Sequence, residues 1–102
     1  MLVKLETGAS GSGGTKSETL TQTIPQNTDT IIEVSGLSKI WGARVAYSEY
    51  VCDVFYDSVN DNYDIHNANT AYWQIKNVSD NKITFWQNWA ANLTFDIIAV
   101  GD

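Results

Sequence analysis

Apolar and polar residues alternate with period two along most of this chain. In the C-terminal third, Trp73 and Ile75 alternate with Gln74 and Lys76, and Ile83 and Phe85 with Lys82 and Thr84. Leu93, Phe95, Ile97 and Ala99 then alternate with Thr94 and Asp96. That period, written in β-branched and aromatic residues with turn formers between the runs, predicts half-buried antiparallel strands. Upstream the pattern repeats. The threonine-rich run 17–24 predicts an edge strand closed by Pro25, which lacks the donor that a central strand needs. Residues 30–34 predict a second strand, with Ile32 and Val34 on one side. Residues 39–47 predict a third, with Trp41, Ala43, Val45 and Tyr47 sharing a face, and 50–56 a fourth, with Tyr50, Cys52, Val54 and Tyr56 together. Residues 57–69 are crowded with Asp and Asn, whose side chains bond local backbone, and read as a polar loop. No segment holds a helical period. The expectation is an all-β chain, an antiparallel β-sandwich of six to eight strands over residues 17–102.

Residues 1–16 depart from this pattern. Gly8 to Gly14 is a glycine-serine run that cannot repay its ordering entropy by burial, so it predicts a flexible tether. Ahead of it, Leu2, Val3 and Leu5 form a short apolar end suited to anchoring on a neighbouring protein. This N-terminus has no apolar core of the secretory kind, so release on lysis is the expected route out of a cell. No aliphatic run approaches the ~20 residues of a membrane span.

At 102 residues the chain is one domain with a modest core, and four tryptophans are many for it. Large rings are one way for a small fold to gain burial, and sharing surface with a partner subunit is another. The net charge of −6 comes with six scattered basic residues, which assemble no basic face. Nucleic acid and anionic membranes are therefore not expected partners. Cys52 is the single cysteine, so an intrachain disulfide is impossible. Its apolar neighbours predict a buried structural thiol, and folding in a reducing cytoplasm is the simpler reading.

Candidate chemistry is sparse. The carboxylates from Asp57 to Asp64 could offer oxygens to Ca²⁺, but they miss the EF-hand spacing, and a solvated hairpin loop accounts for them. His66 is the only histidine and has no partner for a triad or a zinc site. No pair of carboxylates marks a glycosidase. The expectation is a non-enzymatic protein with no cofactor and no metal. Strand phase places Ile83, Phe85 and Trp89 inward and Trp86 outward beside Thr84. An outward tryptophan suits either a subunit interface or a sugar-stacking platform. Trp86, Trp89, Tyr63 and His66 are the candidates for these roles.

Three stretches resemble small β-sandwich virion proteins of tailed bacteriophages. They are the tether after the Leu2-Val3-Lys4-Leu5 end, the run Thr28-Asp29-Thr30-Ile31-Ile32-Glu33-Val34-Ser35-Gly36-Leu37, and the closing Ile83-Thr84-Phe85-Trp86 with Leu93 to Gly101. The ending is also similar to the last strands of the H-type lectin domain, a trimeric sandwich that binds galactose-type sugars. That family closes on an aromatic followed by Ala-x-Gly; here Ala99-Val100-Gly101 is present without the aromatic. None of that family's sugar ligands matches residue by residue, and none is carried over. The resemblance covers roughly residues 28–101. It implies a virion structural subunit (a capsid decoration, head fibre or tail appendage) made in the bacterial host cytoplasm. Its implied partners are further copies of itself, with a trimer favoured, and other virion proteins. The alternative it implies is a lectin-like module recognising host surface glycans.

Overall fold

The computed structural model describes residues 15–67 and 71–102, so the anchor residues Leu2, Val3 and Leu5 lie outside the described residues. Eight strands run in order: β1 (Lys16–Pro25), β2 (Thr30–Glu33), β3 (Ile40–Tyr47), β4 (Tyr50–Asp57), β5 (Asn62–His66), β6 (Trp73–Ser79), β7 (Lys82–Gln87) and β8 (Asn92–Gly101). A five-stranded sheet, β1-β8-β3-β4-β5, packs on a three-stranded sheet, β2-β7-β6, and every pairing is antiparallel. Among the described residues there is no helix. The fold is the antiparallel β-sandwich that the alternation predicts.

β8 lies between β1 and β3 and pairs along most of its length with both, and its own alternation has no break. Leu93, Phe95, Ile97 and Ala99 are buried, while Asn92, Thr94, Asp96 and Ile98 face out. Phe95 packs against Trp73 (ring centroids 4.8 Å apart), Phe85 (5.5 Å) and Tyr47 (5.7 Å), which joins both sheets in one aromatic cluster. Each such ring contributes about 1.5–3 kcal/mol by leaving water.

Two bulges shift the simple alternation. In β3, Ile40 pairs with Gly101 and Gly42 with Val100, so Trp41 is an extra residue. The bulge turns Ile40 into the core and leaves Trp41 half-buried and outside the core cluster, which corrects the expected Trp41–Tyr47 face. In β6, Lys76 is the extra residue between Ile75 and Asn77, and the inward phase resumes at Val78.

The largest correction is β5. Residues 62–66 lie inside the interval expected to be a loop, yet they pair along β4 from Asp57↔Asn62 to Asp53↔His66. Tyr63 and Ile65 pack on the core, while Asn62, Asp64 and His66 face outward. An edge strand needs only one half-apolar face, and here the polar face is made of residues that usually signal turns. β1 likewise begins at Lys16, inside the segment expected to be tether.

Antiparallel pairing gives the sandwich two poles. One carries the connections 26–29, 48–49 and 88–91 together with residues 67 and 71–72. The other carries 34–39, 58–61 and 80–81, the start of β1 and the end of β8. At this second pole Ser38 and Lys39 donate their amides to the Asp102 carbonyl, and the Asp102 amide donates to the Lys39 carbonyl. Gly101 fits there because it lacks a side chain, since a Cβ would collide with the Lys39 carbonyl oxygen.

Candidate functional site

The first pole is built around a buried amide. β7 ends at Gln87, whose side chain is fully buried. Its Nε2 donates to the carbonyls of Ile24 (3.0 Å) and Ala90 (2.7 Å), and its Oε1 accepts from the amides of Trp89 (2.8 Å) and Ala90 (3.2 Å). The carboxamide is thus satisfied on both ends, and it folds the 88–91 connection back over itself. The Asn88 amide donates to the Tyr72 carbonyl at 2.8 Å, and Gln26 Nε2 donates to the Asn88 carbonyl at 3.0 Å. Three connections are tied together by these bonds.

The Trp89 indole emerges from this frame. It meets Tyr47 edge-on (5.5 Å, 77°) and Tyr72 at a tilt (5.6 Å, 37°). Trp89 is still 48% exposed and Tyr72 49%. The expected inward position of Trp89 is therefore wrong: the strand stops at Gln87, which takes the inward place. The result is a rigid, half-open aromatic shelf.

Tyr63 stands at the other pole, in a cleft of about 580 Å³ between the edges of β5 and β6. Its hydroxyl donates to the Ile40 carbonyl at 2.7 Å, and burial pushes its pKa up to about 12. Tyr56 lies 5.2 Å from it, ring to ring, and donates to Asp61 at 2.6 Å. That hydrogen bond to the carboxylate raises the Tyr56 pKa. The Lys39 ammonium sits 4.1 Å above the Tyr56 ring. Of the polar groups on the cleft wall, Tyr63, Tyr56, Asp61 and Lys76 are engaged with other residues of the chain.

His66 and Trp86 lie apart from both sites. His66 is exposed on the outer side of the five-stranded sheet, 6.2 Å from the Phe55 ring. It stands one strand from Asp53, which pairs with Arg44 at 2.8 Å. Trp86 is half-buried on the outer face of the three-stranded sheet, in register with Gln74, as strand phase predicts. One strand away on the same face, Ile31 is 63% exposed. The structure therefore distributes Trp86, Trp89, Tyr63 and His66 over four separate surfaces.

Comparison with protein-family models, curated proteins and solved structures returned no match. The chemistry of the site must be read from its own side chains.

Two of the three 57–64 carboxylates, Asp57 and Asp61, are engaged locally. Asp57 accepts from the Asn60 side chain (2.8 Å) and from the amides of Asn60 and Val59, and these bonds, the Asn60 side chain first, hold its pKa below the ordinary range. Asp61 is engaged by Tyr56, and Asp64 stands outward on β5. Among the described residues no group of three or more His, Cys, Asp or Glu could hold a metal ion. Cys52 is buried and donates to Asn67 Oδ1 at 3.0 Å. The same oxygen accepts the Ile75 amide at 3.1 Å, so Asn67 links β4 to β6. Burial, with Asp53 nearby, pushes the thiol up to about 12, which leaves it unreactive at neutral pH. Sequence reasoning missed Gln87, Tyr47 and Tyr72 as parts of the shelf. The adjacency of Tyr72 and Trp73 was the available signal, because two successive rings in a strand opening cannot both face the core.

Proposed function

We propose that the chain is a non-enzymatic structural subunit of a bacteriophage particle, a capsid decoration, head fibre or tail appendage that works by self-association and attachment. The observation that carries this reading is the outer face of the three-stranded sheet. Ile31 is 63% exposed, and Trp86 lies on the adjacent central strand of the same face. Diagonal neighbours of this kind form a ready apolar contact, and a second copy covering them removes two large apolar groups from water. The sequence resemblance supplies the particle, and the fold supplies a polarity consistent with it. β1 begins at the pole opposite the shelf.

The test is light scattering on the purified chain, with a trimer expected. Trp86→Ala and Ile31→Ser should each shift the assembly towards monomer, while the thermal midpoint of the monomer moves little. A monodisperse monomer at all concentrations, or absence of the chain from purified particles, overturns the reading. A second reading, recognition of host surface glycans, is favoured by the half-open rings of Trp89 and Tyr72.

A further inference from the structure

We propose that the pole formed by Tyr47, Tyr72 and Trp89 is a binding site for a neutral hexopyranoside, whose C–H face stacks on the open indole of Trp89. The inference rests on the glycan-recognition reading, and it assigns that reading a place and a ligand class.

The ring is presented, not stored. A tryptophan that touches two other rings yet stays 48% exposed is braced on two sides and half open to solvent. Its backbone is fixed by the fully bonded Gln87 carboxamide, and its loop is tied to Tyr72 and Gln26. Little conformational freedom remains to be lost when a ligand lands, which is the condition for weak stacking contacts to give measurable affinity.

The rim has the complementary chemistry. Asn27, Ser48 and Asn88 are exposed at the same pole, and their side chains make no hydrogen bond among the described residues. Amides and a hydroxyl beside an aromatic ring match a ligand with an apolar face and a hydroxylated edge. Charge narrows the choice. Among the described residues, Lys16, Lys39 and Lys82 belong to the opposite pole, Arg44 pairs with Asp53 within the five-stranded sheet, and Lys76 reaches from β6 to Asp29 of the 26–29 connection at 3.2 Å, where that carboxylate engages it. Glu49 is exposed in the 48–49 turn of the shelf pole. Among the described residues a phosphate, sulfate or sugar acid would meet no unpaired cation here, so the ligand is neutral.

The experiment uses the full chain with methyl α- and β-hexopyranosides of gluco, galacto and manno configuration, and with neutral and sialylated oligosaccharides. Saturation-transfer NMR reports which ligand protons touch the protein, and tryptophan fluorescence gives the affinity. We expect at least one neutral pyranoside to bind with its strongest transfer on the C–H protons of one face. Trp89→Ala should weaken that binding by about tenfold or more, Trp89→Phe by less, and Val59→Ser, at the opposite pole, not at all. Circular dichroism of each variant should match the parent, because Trp89 is not part of the core. If no probe binds at about 10 mM, the site and the recognition reading both fall. Undiminished binding by Trp89→Ala removes this site and leaves recognition elsewhere on the chain. Binding confined to sialylated probes overturns the ligand class.

Discussion

Replacing Gln87 by leucine is the sharpest test of how the shelf is held. The side chains are close in volume, so the change isolates the hydrogen bonds from any cavity. Four bonds disappear, at 3.0, 2.7, 2.8 and 3.2 Å. The bond to the Ile24 carbonyl is fully buried, and the other three are partly buried. A stranded buried group costs about 1–3 kcal/mol, and each partly wet bond contributes about 0.5–1.5 kcal/mol. The sum is about 2.5–7.5 kcal/mol, of which the apolar leucine returns about 1–2 kcal/mol. A net loss of about 3.5 kcal/mol, the middle of that range, should lower the melting temperature of a domain this size by at least about 14 °C. Denaturant unfolding followed by far-ultraviolet circular dichroism measures it. Hydrogen exchange should show the Trp89 and Ala90 amides losing protection even under native conditions. Gln87→Glu adds a pH readout. Burial raises the pKa of the introduced carboxyl above its unfolded value. Its protonated form can still donate one bond, so the variant is closest to the parent below the unfolded pKa of about 4.3 and loses ground as pH rises through the higher folded value. If Gln87→Leu unfolds within about 0.5 kcal/mol of the parent, the carboxamide does not organise this pole.

Two further predictions concern the rest of the fold. Gly101→Ala drives a methyl into the Lys39 carbonyl oxygen and should destabilise by about 1–3 kcal/mol in thermal unfolding, whereas an unchanged midpoint would show that the strand end is free to move. Cys52 and Tyr63 are both raised to about 12 from ordinary values of 9.0 and 10.0. Folding therefore keeps both groups protonated, the associated stability is complete below about pH 9, and it drains away as pH climbs towards 12. An alkaline titration of stability should fall over that window, with Cys52 reacting with a thiol reagent only on unfolding. Prompt labelling of native protein at pH 8 would contradict the burial argument.

The alternation of side chains was enough to identify an all-β sandwich, the main strands and the outward placing of Trp86. Each of those features depends on which way consecutive residues point, a local property of extended backbone. β5 escaped because Asn62, Asp64 and His66 carry the composition of a turn, and only pairing with β4 makes Tyr63 and Ile65 a core face. The bulges at Trp41 and Lys76 have no local mark either. They are mismatches between two strands, seen only when both are laid side by side. The shelf goes furthest beyond the sequence. By period alone Trp89 belongs inward, and a glutamine is a poor candidate for a core. Gln87 is buried because β1, 63 residues away in the chain, supplies a carbonyl and the following loop supplies the rest. Local pattern decides which face a side chain takes. Long-range pairing decides where a strand stops, and here that stopping point leaves Trp89 half open to solvent.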